Sequence, residues 1–206
     1  MHINWLGQTC VKLQTKNLKD EDIVIIIDPY KPEKGDFPRN FSPDVVLYSK
    51  TAKDSVTISD SAFIIETLGE YEVKDNMIYA LAANDQEMIF KISAEGMNIV
   101  HLGNVKEKIS EHIIEKLGTP DILFLPVGNG EKSLDPKKAR EAVSILEPRV
   151  IIPIAYQCDT DPKALPVESF LKEIGLKPEI TEKKIIIKKK DLPQEDTKIF
   201  VLEKNY

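Results

Sequence analysis

Apolar residues fall in short, closely spaced runs through the first half of the chain and at helical spacings between strand-like runs in the second. Ile23 to Ile27 is a continuous β-branched run, the pattern of a strand buried on both faces. It stops at Asp28-Pro29, a turn signal, and the Pro-, Lys- and Gly-rich stretch from Lys31 to Pro43 reads as a loop. Val45 to Tyr48 is the next buried strand. Strands are also predicted at Met1 to Trp5, Cys10 to Leu13, Ala62 to Glu66, Tyr71 to Val73, Met77 to Ala82, Glu87 to Ile92 and Asn98 to His101. Turns at Gly69, Asp75-Asn76, Asn84-Asp85 and Glu95-Gly96 separate the later ones.

The second half alternates. Ser110 to Leu117 places Ile113, Ile114 and Leu117 on one helical face, with Ser110 as N-cap and Gly118 as the stop. Ile122 to Val127 and Val150 to Ile154 are apolar strands. Between them Asp135-Pro136 opens a helix, with Ala139, Ala142, Val143 and Leu146 on its inner face. Pro166 to Ile174 reads as a helix ended by Gly175. Lys183 to Lys190 and Lys198 to Glu203 read as a closing hairpin, the lysine-rich KKIIIKKK suiting an exposed edge. With no internal repeat or low-complexity linker, the pattern predicts one domain over residues 1–206, of two sheets with outer helices.

Composition narrows the function classes. The chain has 206 residues, 42% apolar content and a formal net charge of -6, enough apolar residue for a sizeable core and no general pull toward nucleic acid or anionic membrane. No signal-like segment opens the sequence, and no apolar run approaches the roughly 20 residues of a membrane span. A cytoplasmic protein that uses neither nucleic acid nor membrane is expected. Cys10 and Cys158 are too few and too far apart for a disulfide scaffold or a zinc motif.

The order of landmarks resembles the metallo-β-lactamase superfamily, and within it the small Zn-dependent hydrolase-like members related to ascorbate-phosphate lactonases. INWLGQTCVKLQT followed by IVIIIDPY resembles that family's opening hairpin and its strand ending in Asp-Pro. PDVVLYSKTAKDSV stands in the place of the metal loop, whose family pattern ends Thr/Ser-His-x-His-x-Asp-His. ETLGEYEV, IVHLGN, DILFLPVGNG and RVIIPIAYQ resemble the following landmarks, so the likeness runs over nearly the whole chain. It implies an α+β fold, the four-layer αββα sandwich of the metallo-β-lactamase type, and a zinc site.

The ligand positions implied by that resemblance are altered. Lys50, Ala52 and Ser55 stand where the loop's three histidines belong, and of that motif Asp54 alone is kept. Asn104 replaces a metal-bridging Asp, and Ala155 the last His. No His occurs between His2 and His101, so the loop cannot be recovered by shifting the alignment. Family chemistry needs a metal to lower the pKa of bound water to about 7, and catalytic zinc takes three protein ligands from His, Asp, Glu or Cys. A lysine cation repels a metal, alanine offers no donor, and one aspartate cannot hold zinc. The expectation is therefore that zinc, the family's cofactor, has no ligands here, and no residue is assigned a catalytic role.

Other chemistry-bearing residues have two readings each. A Lys50–Asp54 pair would set a cation where the metal belongs; alternatively Lys50 and Lys53 are solvated and Asp54 caps a turn. His101 is a ligand or base, or satisfies a backbone group at the end of a buried strand. Cys158 would need a base and a depressed pKa to act as nucleophile, and Asp159 and Asp161 push the other way. Cys10 belongs to the core, and His2 and His112 have no reactive neighbours in sequence. GNGEKSLDP, residues 128–136, offers amides for an anion or simply a turn and N-cap. The leading expectation is a non-catalytic binding or interaction protein, its partner a small anionic ligand or another protein. The alternatives are an atypical hydrolase of phosphodiester, lactone or thioester bonds and a structural subunit.

Overall fold

The computed structural model describes residues 1–50, 55–59, 61–84, 87–128 and 133–205. The chain starts with an antiparallel meander, β1 (His2–Gly7), β2 (Cys10–Lys16) and β3 (Asp22–Ile27). After the short β4 (Asn40–Phe41), β5 (Val45–Leu47) runs parallel to β3. The two-residue β6 (Thr57–Ile58) pairs with β4, and β7 (Phe63–Ile65) runs parallel to β5. The chain then crosses to a second sheet. β8 (Gly69–Val73), β9 (Asn76–Ala82), β10 (Met88–Ala94) and β11 (Met97–His101) form a second antiparallel meander.

From there the connections are parallel and need crossovers, which the helices supply. α1 (Glu111–Leu117) leads to β12 (Ile122–Pro126), and α2 (Pro136–Leu146) to β13 (Val150–Ile154). α3 (Val167–Ile174) leads to β14 (Ile180–Glu182), β15 (Ile185–Ile186) and the last strand, β16 (Lys198–Leu202). The first sheet has the order β15-β1-β2-β3-β5-β7, the second β14-β16-β13-β12-β11-β10-β9-β8. This is the two-sheet α+β sandwich expected of a metallo-β-lactamase fold.

The caps follow local chemistry. Asp135 accepts hydrogen bonds from the amides of Lys137 and Lys138, with Pro136 at the first helical position. Ser110 caps α1 without a side-chain bond, and Gly118 and Gly175 end α1 and α3. The expected closing hairpin is corrected: β15 pairs with β1 in one sheet, while β16 runs parallel to β13 and β14 in the other. Two lysine-flanked apolar runs look alike in sequence, and only their separate edges distinguish them.

β3 shows why a continuous apolar run is needed. Ile23, Ile25 and Ile27 point into the main core between the sheets. Ile26 joins Leu6 and Cys10 on the other face, with Val24 and the aromatic rings of Tyr30, Phe37 and Phe41 packed against them. The described helices all follow β11, so the rings of the segment from Tyr30 to Phe41 do over this part of the first sheet what a helix does elsewhere. Phe37 lies 4.3 Å from Tyr30 and 5.7 Å from Phe41, ring centre to ring centre. Lys204 ties this segment to the C-terminal half, through the Asp36 carbonyl and the Asp159 carboxylate at 2.6 Å. No helix among the described residues is long and apolar enough to cross a membrane.

Truncating the central ring should expose the outer face of β3. Phe37→Ala is expected to destabilise by about 1–2 kcal/mol, below the value for a fully buried Phe because the ring is only half-buried. Thermal or denaturant unfolding measures it, with Leu18→Ser, at a residue 90% exposed, as the neutral control.

Candidate functional site

The ends of β3, β5, β11 and β13 meet the β1–β2 turn, and a polar network joins four of these five segments. Asp28 follows β3 in the left-handed region, φ 50°. Its carboxylate accepts from the Ser49 amide at 2.6 Å and from the Ser49 hydroxyl at 2.7 Å. The Ser49 hydroxyl in turn accepts from the Asn104 side-chain amide at 3.2 Å, which also reaches the Thr9 hydroxyl at 3.4 Å. Thr9 and Ser49 are buried. Every described member has a partner, as a buried polar network must.

His101, at the end of β11, is fully buried. The Gly103 amide donates to its Nδ1 at 3.0 Å, which makes Nδ1 the acceptor and leaves the proton on Nε2. Nε2 then donates to the Thr9 carbonyl at 2.9 Å. Burial pushes its pKa below the usual histidine value, against an opposing pull from Asp28. Of the two readings of His101, the structural one describes this ring. Gly103, φ 59°, lets the backbone pass close by: a Cβ there would sit 2.7 Å from the Ser49 Cβ and 2.8 Å from the Met88 carbonyl.

Lys50, at the first expected ligand position, lies 3.2 Å from the Glu87 carboxylate. Glu87 is buried, takes a second bond from the Asn84 amide at 2.8 Å, and precedes Met88, whose amide bonds the Ser49 carbonyl at 2.9 Å. Lys50 is thus turned to the β9–β10 connection, with its side chain still 41% exposed to solvent. Ala52 and Asp54 lie outside the described residues, as do Lys53 and residues 129–132 of the segment before α2. The Ser55 hydroxyl accepts from the Tyr48 phenol at 2.9 Å and donates to the Val56 carbonyl at 3.2 Å.

Ala155 is held at φ 58°, and its amide donates to the Gln8 carbonyl at 2.8 Å. A non-glycine residue in this conformation carries strain. Gly128 fits beneath it, since a Cβ there would come within 2.0 Å of the Ala155 carbonyl. Cys158 is half-buried, with Sγ 3.2 Å from the Thr160 hydroxyl, which pairs at 2.6 Å with Tyr30. Burial holds the Tyr30 phenol well above its usual pKa, the Cys10 thiol likewise.

These donors do not fit a zinc ion. Lys50 is a cation already answered by a carboxylate, the Asn104 amide points its N–H groups at two hydroxyls, Ser55 bonds within its own segment, and Ala155 has no donor. Among the described residues no group of three or more His, Cys, Asp or Glu could hold a metal ion. Asp28 and Glu87 are polar anchors that the sequence pattern does not single out. Asp28 is visible there as a turn signal and as the Asp-Pro end of a landmark strand, and Glu87 as the first residue of a strand.

His101 makes a pH prediction. Its folded pKa lies below the ordinary 6.5, so the unfolded chain takes up a proton first and stability falls with pH below that value. The slope from this one group is at most that of one proton, about 1.4 kcal/mol per pH unit. Denaturant unfolding across this range should show the slope in the native chain and a shallower one in His101→Gln, what remains including His2, which burial also holds below the ordinary value.

With the geometry in place, comparison with known proteins is direct. The family model of the beta-lactamase superfamily domain matches residues 2–155. A UPF0173 metal-dependent hydrolase of Methanopyrus kandleri is 22% identical over 227 residues, covering 87% of this chain and 95% of that protein. One from Thermococcus onnurineus is 35% identical over 92 residues, 44% of this chain and 40% of its own length. A Thermotoga maritima structure, described as a Zn-dependent hydrolase of the metallo-beta-lactamase superfamily, aligns with a TM-score of 0.79 and 28% identity over 98% of both chains. A metallo hydrolase of Ignicoccus hospitalis shares the fold, with a TM-score of 0.62 at 17% identity over 84% of this chain and 90% of its own. By sequence, by topology and by the order of its strand-end landmarks, the chain belongs to the beta-lactamase superfamily, in the neighbourhood of its Zn-dependent hydrolase-like branch.

Proposed function

We propose that this chain is a non-catalytic member of its family and works by binding rather than by hydrolysis. The observation that carries the reading is the Lys50–Glu87 pair: the residue at the first ligand position is a cation, bonded to a buried carboxylate. Removing Lys50 would leave the buried Glu87 carboxylate with one charge partner fewer, whereas Lys50 itself is partly exposed. It also neutralises the cation that a small anionic ligand would use. The reading is accordingly a protein that meets another protein through its surface, with the strand-end network as rigid scaffold. Asp28, Ser49, Thr9 and His101 support it by holding the strand ends in register through bonds to one another and to backbone groups.

A second reading is an atypical hydrolase, favoured by the names of the relatives, which are metal-dependent hydrolases. It would draw on Asp54, His101, Cys158 or Asp159 with a displaced metal site or none. Turnover of phosphodiester, lactone and thioester substrates, with and without added zinc or manganese, separates the two. No turnover above buffer is expected from the native chain. Turnover that is abolished by Asp54→Ala or Cys158→Ala would overturn the binding reading and establish the hydrolase.

A further inference from the structure

The sandwich has two open sides, and they carry opposite charge. On one side β7 is the last strand of the first sheet and β8 the last of the second. Both come from one segment, residues 63–73, that leaves one sheet and enters the other, with the Phe63 and Tyr71 rings edge-on at 6.3 Å. The Phe63 amide donates to the Asp44 carbonyl, and the Ile65 carbonyl accepts from Tyr48, so both turn toward β5. Ile64, between them, turns its backbone groups to the open edge. Phe63, Ile64 and Leu68 are 47%, 49% and 57% exposed. The charged residues of this segment are Glu66, Glu70 and Glu72, all exposed, with no Lys or Arg.

The opposite side repeats the construction with the other sign. β14 ends the second sheet and β15 the first, and residues 180–190 supply both. Ile180 is 40% and Ile186 54% exposed. Lys183, Lys184, Lys188, Lys189 and Lys190 are exposed, against the single acid Glu182.

We propose that these two sides are the two halves of one interface, through which a second copy of this chain docks head to tail. Exposed aliphatic and aromatic side chains on each side supply apolar area. The charges choose the pairing: a lysine row blocks addition of a like strand, and the glutamate row repels its own copy, so a two-fold contact through either side alone is disfavoured. Lysine facing glutamate is the one combination without like-charge repulsion. A head-to-tail contact of this kind closes into a ring or grows as a filament, depending on the rotation between copies. The inference goes beyond the proposed function, since it holds whether or not the cleft is catalytic.

Sedimentation velocity of the full chain over a range of concentrations and salt tests it. Concentration-dependent assembly is expected at low salt, with dissociation as the screening length falls to about 3 Å at 1 M. Two charge-reversed chains extend the test: Glu66→Lys with Glu70→Lys and Glu72→Lys, and Lys184→Glu with Lys188→Glu and Lys190→Glu. Each should be monomeric alone, at least tenfold weaker in self-association than the native chain, and an equal mixture should reassemble. Circular dichroism establishes that both are folded, and the native salt series decides alone if either is not. A native chain that stays monomeric at low salt, assembly indifferent to salt, or assembly untouched by folded charge-reversed chains would each overturn the proposal.

Discussion

One carboxylate holds the candidate site together. Asp28 accepts both the backbone amide and the hydroxyl of Ser49, and so fixes how the chain leaves β5 relative to the end of β3. A charged acceptor with two donors is among the stronger hydrogen-bonding arrangements. Everything after Ser49 inherits that anchor: the Ser49 carbonyl holds the Met88 amide, Lys50 meets Glu87, and Asn104 reaches Ser49 from the β11 side. Gly103 is required beside it because Ser49 and the Met88 carbonyl leave no room for a side chain.

Around this anchor, side chains bond to one another and to backbone groups. His101 spends both ring nitrogens on backbone groups, and burial keeps it neutral. The ion pair at Lys50 works in the same direction, because its carboxylate is buried and already shares an amide. In a metal centre the protein leaves strong donors aimed at a common point and orients them from behind. Among the described residues at the positions that the family resemblance marks, Lys50 is a cation paired with a carboxylate, Ser55 a hydroxyl bonded to its own neighbours, Asn104 an amide donor and Ala155 a methyl group. A shared fold does not by itself carry the family's chemistry, so the two are read apart.

Much of this is legible in the residues. The run Ile23 to Ile27 announces a strand covered on both faces, and Asp135-Pro136 announces the start of α2. The altered ligand positions are readable because a His-rich loop cannot hide in a segment without His. What sequence does not supply is long-range pairing. Glu87 lies several strands further along the chain than Lys50, and nothing in the local pattern joins them. The aromatic cover from Tyr30, Phe37 and Phe41 reads as plain loop because the residues between are rich in Pro, Lys, Asp and Gly, which break a helix even though the three rings fall at a helical spacing. The supposed closing hairpin fails for a related reason: strand propensity says that Ile185 and Phe200 are extended but not which edge each will find.

The central claim is that the strand-end scaffold is kept without a metal-binding centre. Its most direct test is the transition-metal content of protein purified without chelator, by plasma mass spectrometry of the dissolved sample, before and after incubation with excess zinc and desalting. The account predicts no stoichiometric zinc, iron or manganese in either state. One equivalent retained through desalting, and lost in Asp54→Ala, would contradict it.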